Sequence, residues 1–126
     1  MIDHISIPVS NLQYSDEFYL KILAPLGFKR LVQRETAIGF GKHYPEFWLN
    51  ARKGMARISR NSGFHFCLRC KTTEAVDEFH KIALTEGGLC DGAPGPRQAA
   101  MTEYYGAFIL DLDGHKIEAV CFPQKD

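Results

Sequence analysis

The sequence predicts an α+β fold built from two tandem copies of one unit: a strand, a helix and about three further strands. The first half opens with DHISIPVSNLQYSDEFYLKILAPLGF and the second with GFHFCLRCKTTEAVDEFHKIALTEGG. The offset of 61 that aligns His4 with His65 also aligns Asp16-Glu17-Phe18 with Asp77-Glu78-Phe79. Such similarity at a fixed offset indicates a repeated structural unit.

The opening of each half has the pattern of a strand followed by a helix. Apolar and polar side chains alternate with a period of two in both openings, as they do in a half-buried strand. Apolar residues then recur about every four positions, which predicts an amphipathic helix. Ser10 or Asn11 can cap the first helix, and Thr72 or Thr73 can cap the second.

Short apolar segments punctuated by glycine follow each helix and are predicted to be strands. They read FKRLVQRE, TAIGFGK and EFWLNAR in the first half, and LCDG, YYGAFILDL and HKIEAVCF in the second. Between the second helix and the last two strands, DGAPGPRQAAMTE predicts a loop that is long enough to be functional. We therefore expect one domain over residues 1–126, made of modules at about 1–58 and 62–126.

Composition narrows the class of protein. The 126 residues include 45% apolar residues, which is typical of one globular domain with a real core. Fifteen basic and 15 acidic residues give a net charge of zero without a basic block, which argues against a nucleic-acid partner. There is no apolar run of membrane-spanning length and no signal-peptide pattern, so we expect a cytoplasmic protein without membrane contacts.

The four cysteines are predicted to be structural. Cys67 and Cys70 form a C-x-x-C motif, which also occurs in redox and zinc sites. On a strand, however, residues three apart point to opposite faces, and the sequence has no second C-x-x-C to complete a zinc site. We expect buried or half-buried free thiols.

Three polar residues on the predicted strands form a candidate metal site. His4 and His65 occupy repeat-equivalent strand positions, and Glu118 lies within the last strand. If the two sheets pack side by side, these residues converge on one concave surface, where two imidazoles and a carboxylate suit a divalent metal. Alternatively, the histidines are hydrogen-bonded core residues, and Glu118 is solvated or paired with Lys116 or Arg69.

Several motifs together carry a resemblance to a known family. They are the histidine in DHISIPVSN, the helix SDEFYLKIL ending in LGF, the histidine in GFHFCL, and PGPR, YYGAF and DLDGHKIEAV in the second half. Over essentially its whole length the chain resembles the vicinal oxygen chelate superfamily, which contains glyoxalase I, fosfomycin-resistance transferases, bleomycin-binding proteins and extradiol dioxygenases. The resemblance implies two βαβββ modules forming a cup-shaped mixed sheet, and a homodimer.

The resemblance also implies site residues. The metal-binding pattern of the superfamily maps onto His4, His65 and Glu118, with Glu118 also the catalytic carboxylate. Glyoxalase I uses a further carboxylate near the end of the first half, where this sequence has Trp48, with Glu46 two residues earlier on the same face. The missing acid argues against lactoylglutathione lyase activity, in which a metal-bound carboxylate moves a proton. The dioxygenases and fosfomycin-type transferases of the superfamily use two histidines and one glutamate.

A substrate pocket is expected beside the metal. Its walls would include Trp48, one of the adjacent tyrosines Tyr104 and Tyr105, and Phe122. A guanidinium such as that of Arg97 can clamp a carboxylate or a phosphate through two hydrogen bonds. The predicted substrate-binding residues are Trp48, Cys67, Arg97, Tyr105 and Lys116.

The leading hypothesis is a glyoxalase-family metalloenzyme, a lyase, transferase or dioxygenase. It would act on a small oxygen-rich substrate through chelation by a divalent metal such as Zn, Ni, Mn or Fe. The alternative is a metal-free protein of the bleomycin-resistance type that sequesters a small molecule; Trp48 favours it, because an indole adds stacking surface. A third reading is a degenerate cup whose two histidines are hydrogen-bonded core residues.

Overall fold

The computed structural model describes residues 1–99 and 101–122, and in these ranges it contains eight strands and two α-helices. In chain order the elements are β1 (Ile5–Val9), α1 (Leu12–Leu23), a 3₁₀ turn (Ala24–Leu26), β2 (Lys29–Gln33), β3 (Ala37–Gly41), β4 (Phe47–Ala51), β5 (His65–Cys70), α2 (Thr73–Thr85), β6 (Leu89–Gln98), β7 (Glu103–Leu110) and β8 (Lys116–Cys121).

The two halves form two sheets of identical topology. The first sheet has the strand order β1-β4-β3-β2, and the second has the order β5-β8-β7-β6. In each sheet the opening strand runs parallel to the closing strand, and the remaining pairs are antiparallel. The predicted α+β fold of two βαβββ units is confirmed. The opening strands β1 and β5 both stand at the edge of their sheets.

Both helices begin at a predicted capping residue. The side chain of Asn11 accepts a hydrogen bond of 3.0 Å from the backbone N–H of Tyr14. The Thr72 hydroxyl accepts one of 3.1 Å from the backbone N–H of Ala75. These bonds satisfy N–H groups that have no partner inside a helix. Within the described ranges, neither helix is long and apolar enough to cross a membrane.

A single hydrophobic core joins the two halves. The rings of Tyr19 on α1 and Phe47 on β4 are 5.0 Å apart, and Phe47 lies 5.2 Å from Phe66 on β5. Buried side chains of both sheets and both helices belong to the same cluster. Because each sheet turns its apolar face to this core, the polar face of each sheet points away from it.

One segment was predicted wrongly. Most of DGAPGPRQAAMTE is not a loop but strand β6, which pairs antiparallel with β7. Prolines at 94 and 96 are tolerated because β6 is an edge strand, and register shifts around Gly92 accommodate its bends. Arg97 therefore lies on a strand, opposite Tyr104. Residues 100 and 123–126 lie outside the described part.

The turn before β8 is anchored to the first half of the chain. The carboxylate of Asp111 accepts backbone N–H bonds from Asp113 at 3.0 Å and from His115 at 2.8 Å, and it also accepts the hydroxyl of Tyr19. The imidazole of His115 donates a hydrogen bond of 2.7 Å to the carbonyl of Pro8 on β1. This network fixes the position at which β8 enters its sheet.

All four cysteines are free, as predicted, but their burial differs. Cys70 and Cys121 are buried, and they are register partners on the neighbouring strands β5 and β8. Cys67 and Cys90 are exposed, contrary to the expectation of buried or half-buried thiols. Cys67 lies on the polar face of β5, where the alternation of the strand turns it away from the core.

Candidate functional site

Glu118 is the buried carboxylate at the centre of the candidate site. It lies in β8 between Ile117 and Ala119, which point into the core, and only 5% of its surface is exposed. Its Oε2 accepts a hydrogen bond of 2.9 Å from the Tyr104 hydroxyl, and its Oε1 lies 3.5 Å from Nε2 of His65. A buried carboxylate is costly unless it has such partners.

The spacing of His65 and Glu118 fits two ligands of one cation. Two donor atoms that each lie at Zn–N or Zn–O bonding distance from a tetrahedral ion are about 3.4 Å apart, which matches the separation of 3.5 Å between Nε2 and Oε1. In the described part of the chain, no third histidine, cysteine, aspartate or glutamate joins them in a metal-binding arrangement. A single chain therefore brings together two of the three predicted ligands.

Cys67 contributes a thiol to the same face. It is the register partner of Glu118, two residues after His65 on β5. Although Cys67 is exposed as a residue, partial desolvation of its sulfur, together with the charge and hydrogen bonding of the Glu118 carboxylate, raises the pKa of Cys67 to about 12. The protonated thiol is therefore the dominant form near neutral pH, and it serves as a polar neighbour of the carboxylate.

Two cations flank the site, grouped around the ring of Phe108. The Arg97 guanidinium carbon lies 5.4 Å and the Lys116 ammonium 4.7 Å from the ring centroid, and the imidazole of His65 lies 6.0 Å away. Lys116 also contacts Asp91 at 3.1 Å. The structure thus brings the predicted residues Arg97 and Lys116 to the face that carries His65, where they can attract an anion.

The predicted substrate-binding residue Tyr105 requires a correction. Its hydroxyl donates a hydrogen bond of 2.6 Å to Asp77 on α2, so it lies on the helix side of the sheet. The preceding Tyr104 contacts Glu118 instead. Strand alternation explains the difference, because Tyr105 shares a face with the core residue Ala107. This alternation of faces along the strand is the sequence signal that would have selected Tyr104 rather than Tyr105.

The polar face of the first sheet carries Trp48. Its ring lies against the backbone of Gly39, where an added Cβ would come within 3.1 Å of two ring carbons, and Arg34 stacks 5.2 Å from the indole centroid. A cavity of about 220 Å³ adjoins them, with His4 and Asn50 among its lining residues. An aromatic surface thus stands where the resemblance placed a further carboxylate.

His4 and His65 both lie at a cleft of about 610 Å³ between the halves, which Glu46 also lines. His4 immediately precedes β1, and its Nδ1 contacts Asp3 at 2.8 Å. Both imidazoles are about half exposed, at 56% for His4 and 46% for His65. They are therefore not buried core residues: His65 is the first residue of β5, and His4 lies one residue before β1.

Solved structures share this architecture. The chain matches a glyoxalase/bleomycin resistance protein from Albidiferax ferrireducens T118 with a TM-score of 0.84 and 26% identity, over 95% of this chain and 98% of that one. It also matches a glyoxylase/bleomycin resistance protein/dioxygenase domain from Frankia sp. EAN1pec with a TM-score of 0.71 and 17% identity, over 98% of each chain. The second likeness concerns the fold alone.

Sequence comparison agrees with the structural match. The metallothiol transferase FosB of Staphylococcus haemolyticus is 30% identical over 118 residues, which span 93% of this chain and 80% of the relative. FosB of Staphylococcus epidermidis matches to the same extent. The model of the glyoxalase/bleomycin resistance protein/dioxygenase superfamily matches residues 1–119. The chain therefore belongs to this superfamily.

Proposed function

We propose that this protein is a divalent-metal-dependent enzyme that acts on a small anionic, oxygen-rich substrate. The observation that carries the proposal is the separation of 3.5 Å between His65 Nε2 and Glu118 Oε1, because it suits two ligands of one ion. The bound cation would supply a Lewis acid that polarises an oxygen of the substrate.

The neighbouring residues define what the chain itself contributes. Tyr104 orients Glu118 by donating a hydrogen bond to Oε2, which leaves Oε1 facing His65. Arg97 and Lys116, both beside Phe108, would hold a carboxylate, phosphate or phosphonate group of the substrate next to that pair. Two cations of this kind can position an anion for attack without taking part in proton transfer.

Group transfer is the reaction class that these residues favour. A lyase that moves a proton beside a carbonyl needs a second base at the metal, and the equivalent position holds Trp48, packed on Gly39. Three protein ligands leave coordination positions open for a substrate to chelate. The 30% identity to proteins named metallothiol transferase supports addition of a nucleophile to such a substrate.

A second copy of the chain would complete the site. His4 lines the same cleft as His65, but within the described part of one chain it does not join His65 and Glu118 in a metal-binding arrangement. A twofold-related partner could lay the polar face of its first sheet over the second sheet of this chain, so that each site takes His4 from the other copy. In such a dimer the contact would involve the edge strands β1 and β5 and the exposed apolar residues Ile2 and Phe64.

Metal analysis tests the proposal. Protein purified without a histidine tag should bind about one Zn, Ni, Mn or Fe ion per chain. His4→Ala, His65→Ala and Glu118→Gln should each lower that content severalfold, whereas His43→Ala, a change in an exposed turn, should not. Unchanged metal content in the three ligand variants would overturn the proposal.

A metal-free binding protein is the second candidate, and Trp48 is the observation that favours it. The indole lies between Gly39 and Arg34 beside a small cavity, so a planar ligand could extend the stack. Trp48 is the single tryptophan, so tryptophan fluorescence, excited where the five tyrosines do not absorb, reports on this site. Saturable quenching by micromolar Mn²⁺ or Ni²⁺ supports the enzyme, and quenching by aromatic compounds alone supports sequestration.

A further inference from the structure

Another cavity, separate from the cleft at His4 and His65 and from the one beside Trp48, is lined by lysine side chains. It measures about 450 Å³, and we call it the lysine cavity. Its lysines come from three segments: Lys29 at the start of β2, Lys42 in the β3–β4 connection, where His43 also lines the cavity, and Lys71 between β5 and α2. Both halves of the chain therefore contribute to it.

The charge of the lysine cavity is not balanced by its own lining, which includes no aspartate or glutamate in the described part of the chain. Lys21 and Lys116 show the contrasting arrangement, since each lies 3.1 Å from a carboxylate oxygen. Lys29, Lys42 and Lys71 have no such ion pair among the described residues. The protein as a whole has a net charge of zero, so these cations are locally concentrated.

One of these lysines is positioned by an aromatic ring. The Lys42 ammonium lies 5.9 Å from the centroid of Phe28, whose ring attracts the positive charge and also lines the histidine cleft. Lys71 approaches from the second half of the chain. Like charges that face one cavity repel each other, and an anion between them would replace that repulsion with attraction.

We propose that the lysine cavity binds a small phosphate-bearing anion. Three ammonium groups on separate segments are point charges that can each meet a different oxygen of a tetrahedral, multiply charged group. A carboxylate presents two oxygens in one plane and a single charge, which suits a planar guanidinium better. A bound phosphate would also connect the two halves of the chain. The proposal does not depend on metal binding at His65 and Glu118.

Backbone amide shifts of the isotopically labelled full chain test the proposal. Inorganic phosphate and pyrophosphate are titrated at constant pH, with sodium chloride at matched ionic strength as the reference. We expect saturable shifts that are largest at Gly27, Lys42 and Lys71. The double variant Lys42→Gln/Lys71→Gln should weaken binding roughly tenfold or more, because charge-assisted hydrogen bonds are lost.

A matched control separates local binding from general charge. Lys53→Gln/Lys81→Gln removes the same charge from exposed positions outside the cavity, and it should leave the phosphate affinity within about twofold. Three results would overturn the proposal: shifts that chloride reproduces, equal weakening in both double variants, or phosphate shifts centred on His65 and Lys116.

Discussion

The hydroxyl of Tyr104 donates a hydrogen bond of 2.9 Å to Glu118 Oε2, and this bond decides which carboxylate oxygen faces His65. The hydrogen bond also raises the pKa of Tyr104, after the larger effect of burial, so the phenol stays a donor near neutral pH. Glu118 is thereby held in one orientation before any ligand arrives. Such orienting partners commonly control the affinity of a metal site.

Removing this hydroxyl is expected to weaken metal binding. Tyr104→Phe should lower the affinity of the metal-free protein for Mn²⁺ or Zn²⁺ by about tenfold, as loss of an orienting partner typically does. Tyr105→Phe is the matched control, because its hydroxyl bonds Asp77 on the opposite face. Calorimetric titration of both variants gives the comparison. Equal affinities would show that Tyr104 does not orient the ligand.

Gly106 provides the space in which Tyr104 and Glu118 meet. A Cβ at this position would lie 2.9 Å from the Tyr104 ring and 3.4 Å from Glu118 Oε2. Gly106→Ala should therefore lower the free energy of unfolding by about 1–3 kcal/mol, as overpacking does, and weaken metal binding. Gly95→Ala, on the paired strand, has no neighbouring atom within 4 Å of its added Cβ and should be nearly neutral. Urea unfolding measures the free energy of unfolding of both variants. Equal values for Gly106→Ala and Gly95→Ala would contradict the packing argument.

The thiol of Cys67 reports on the charge of Glu118. Because partial desolvation of its sulfur and the carboxylate raise the pKa of Cys67 to about 12, its alkylation in metal-free protein should be slow at pH 8. Glu118→Gln removes one cause of the shift and should speed the reaction by about threefold or more, since the thiolate is the reacting form. Peptide mass spectrometry after iodoacetamide measures the rate, with exposed Cys90 as the internal reference. If Glu118→Gln leaves the ratio of the Cys67 alkylation rate to the Cys90 alkylation rate unchanged, the Glu118 carboxylate does not raise the pKa of Cys67.

The buried Asp111 should make stability depend on pH. Burial, the largest effect, raises the pKa of Asp111 above its ordinary value of 3.8, against the opposing influence of His115 and Tyr19. A raised carboxyl pKa means that the folded state keeps its proton longer than the unfolded state. Its stabilising contribution is therefore complete below about pH 4 and declines as the pH rises through the folded-state value.

The neutral variant Asp111→Asn isolates this effect. The free energy of unfolding of the unmodified protein minus that of Asp111→Asn should fall as the pH rises from about 4 towards neutrality. Denaturant unfolding at several pH values measures the difference. A difference that is constant, or that increases with pH, would show that the pKa of Asp111 is not raised in the folded protein.

The repeat and the strand alternation were readable from the sequence because both are local patterns. They predicted the two βαβββ units, and the same period of two accounts for Ile117 in the core beside Glu118 on the opposite face of β8. LCDG, the start of β6, was predicted as a strand, but the rest of β6 was predicted as a loop because prolines are tolerated on an edge strand, and edge position is a property of the assembled sheet. Tyr104 and Tyr105 were alternatives for the pocket wall, and Tyr105 was predicted as the substrate-binding residue although the alternation of faces along the strand favours Tyr104.

The position of His4 relative to Glu118 could not be read in the same way. The equivalence of His4 and His65 follows from the offset of 61, but the relation between the two sheets depends on how the helices pack between them. A short stretch of sequence does not reveal how the two helices pack, because that packing joins residues far apart in the chain. The ligand set of His4, His65 and Glu118 stays a prediction, and under our proposal His4 would come from a second copy of the chain.

Mixed dimers test this requirement most directly. Coexpressed His4→Ala and His65→Ala chains with different affinity tags, neither of them a histidine tag, allow the heterodimer to be isolated. If each site takes His4 from one copy and His65 and Glu118 from the other, the heterodimer holds one intact site and one lacking both histidines. Its metal content should then reach about half that of the unmodified protein, while each variant homodimer binds little. A heterodimer with no more metal than either homodimer, or no dimer at all, would contradict the account.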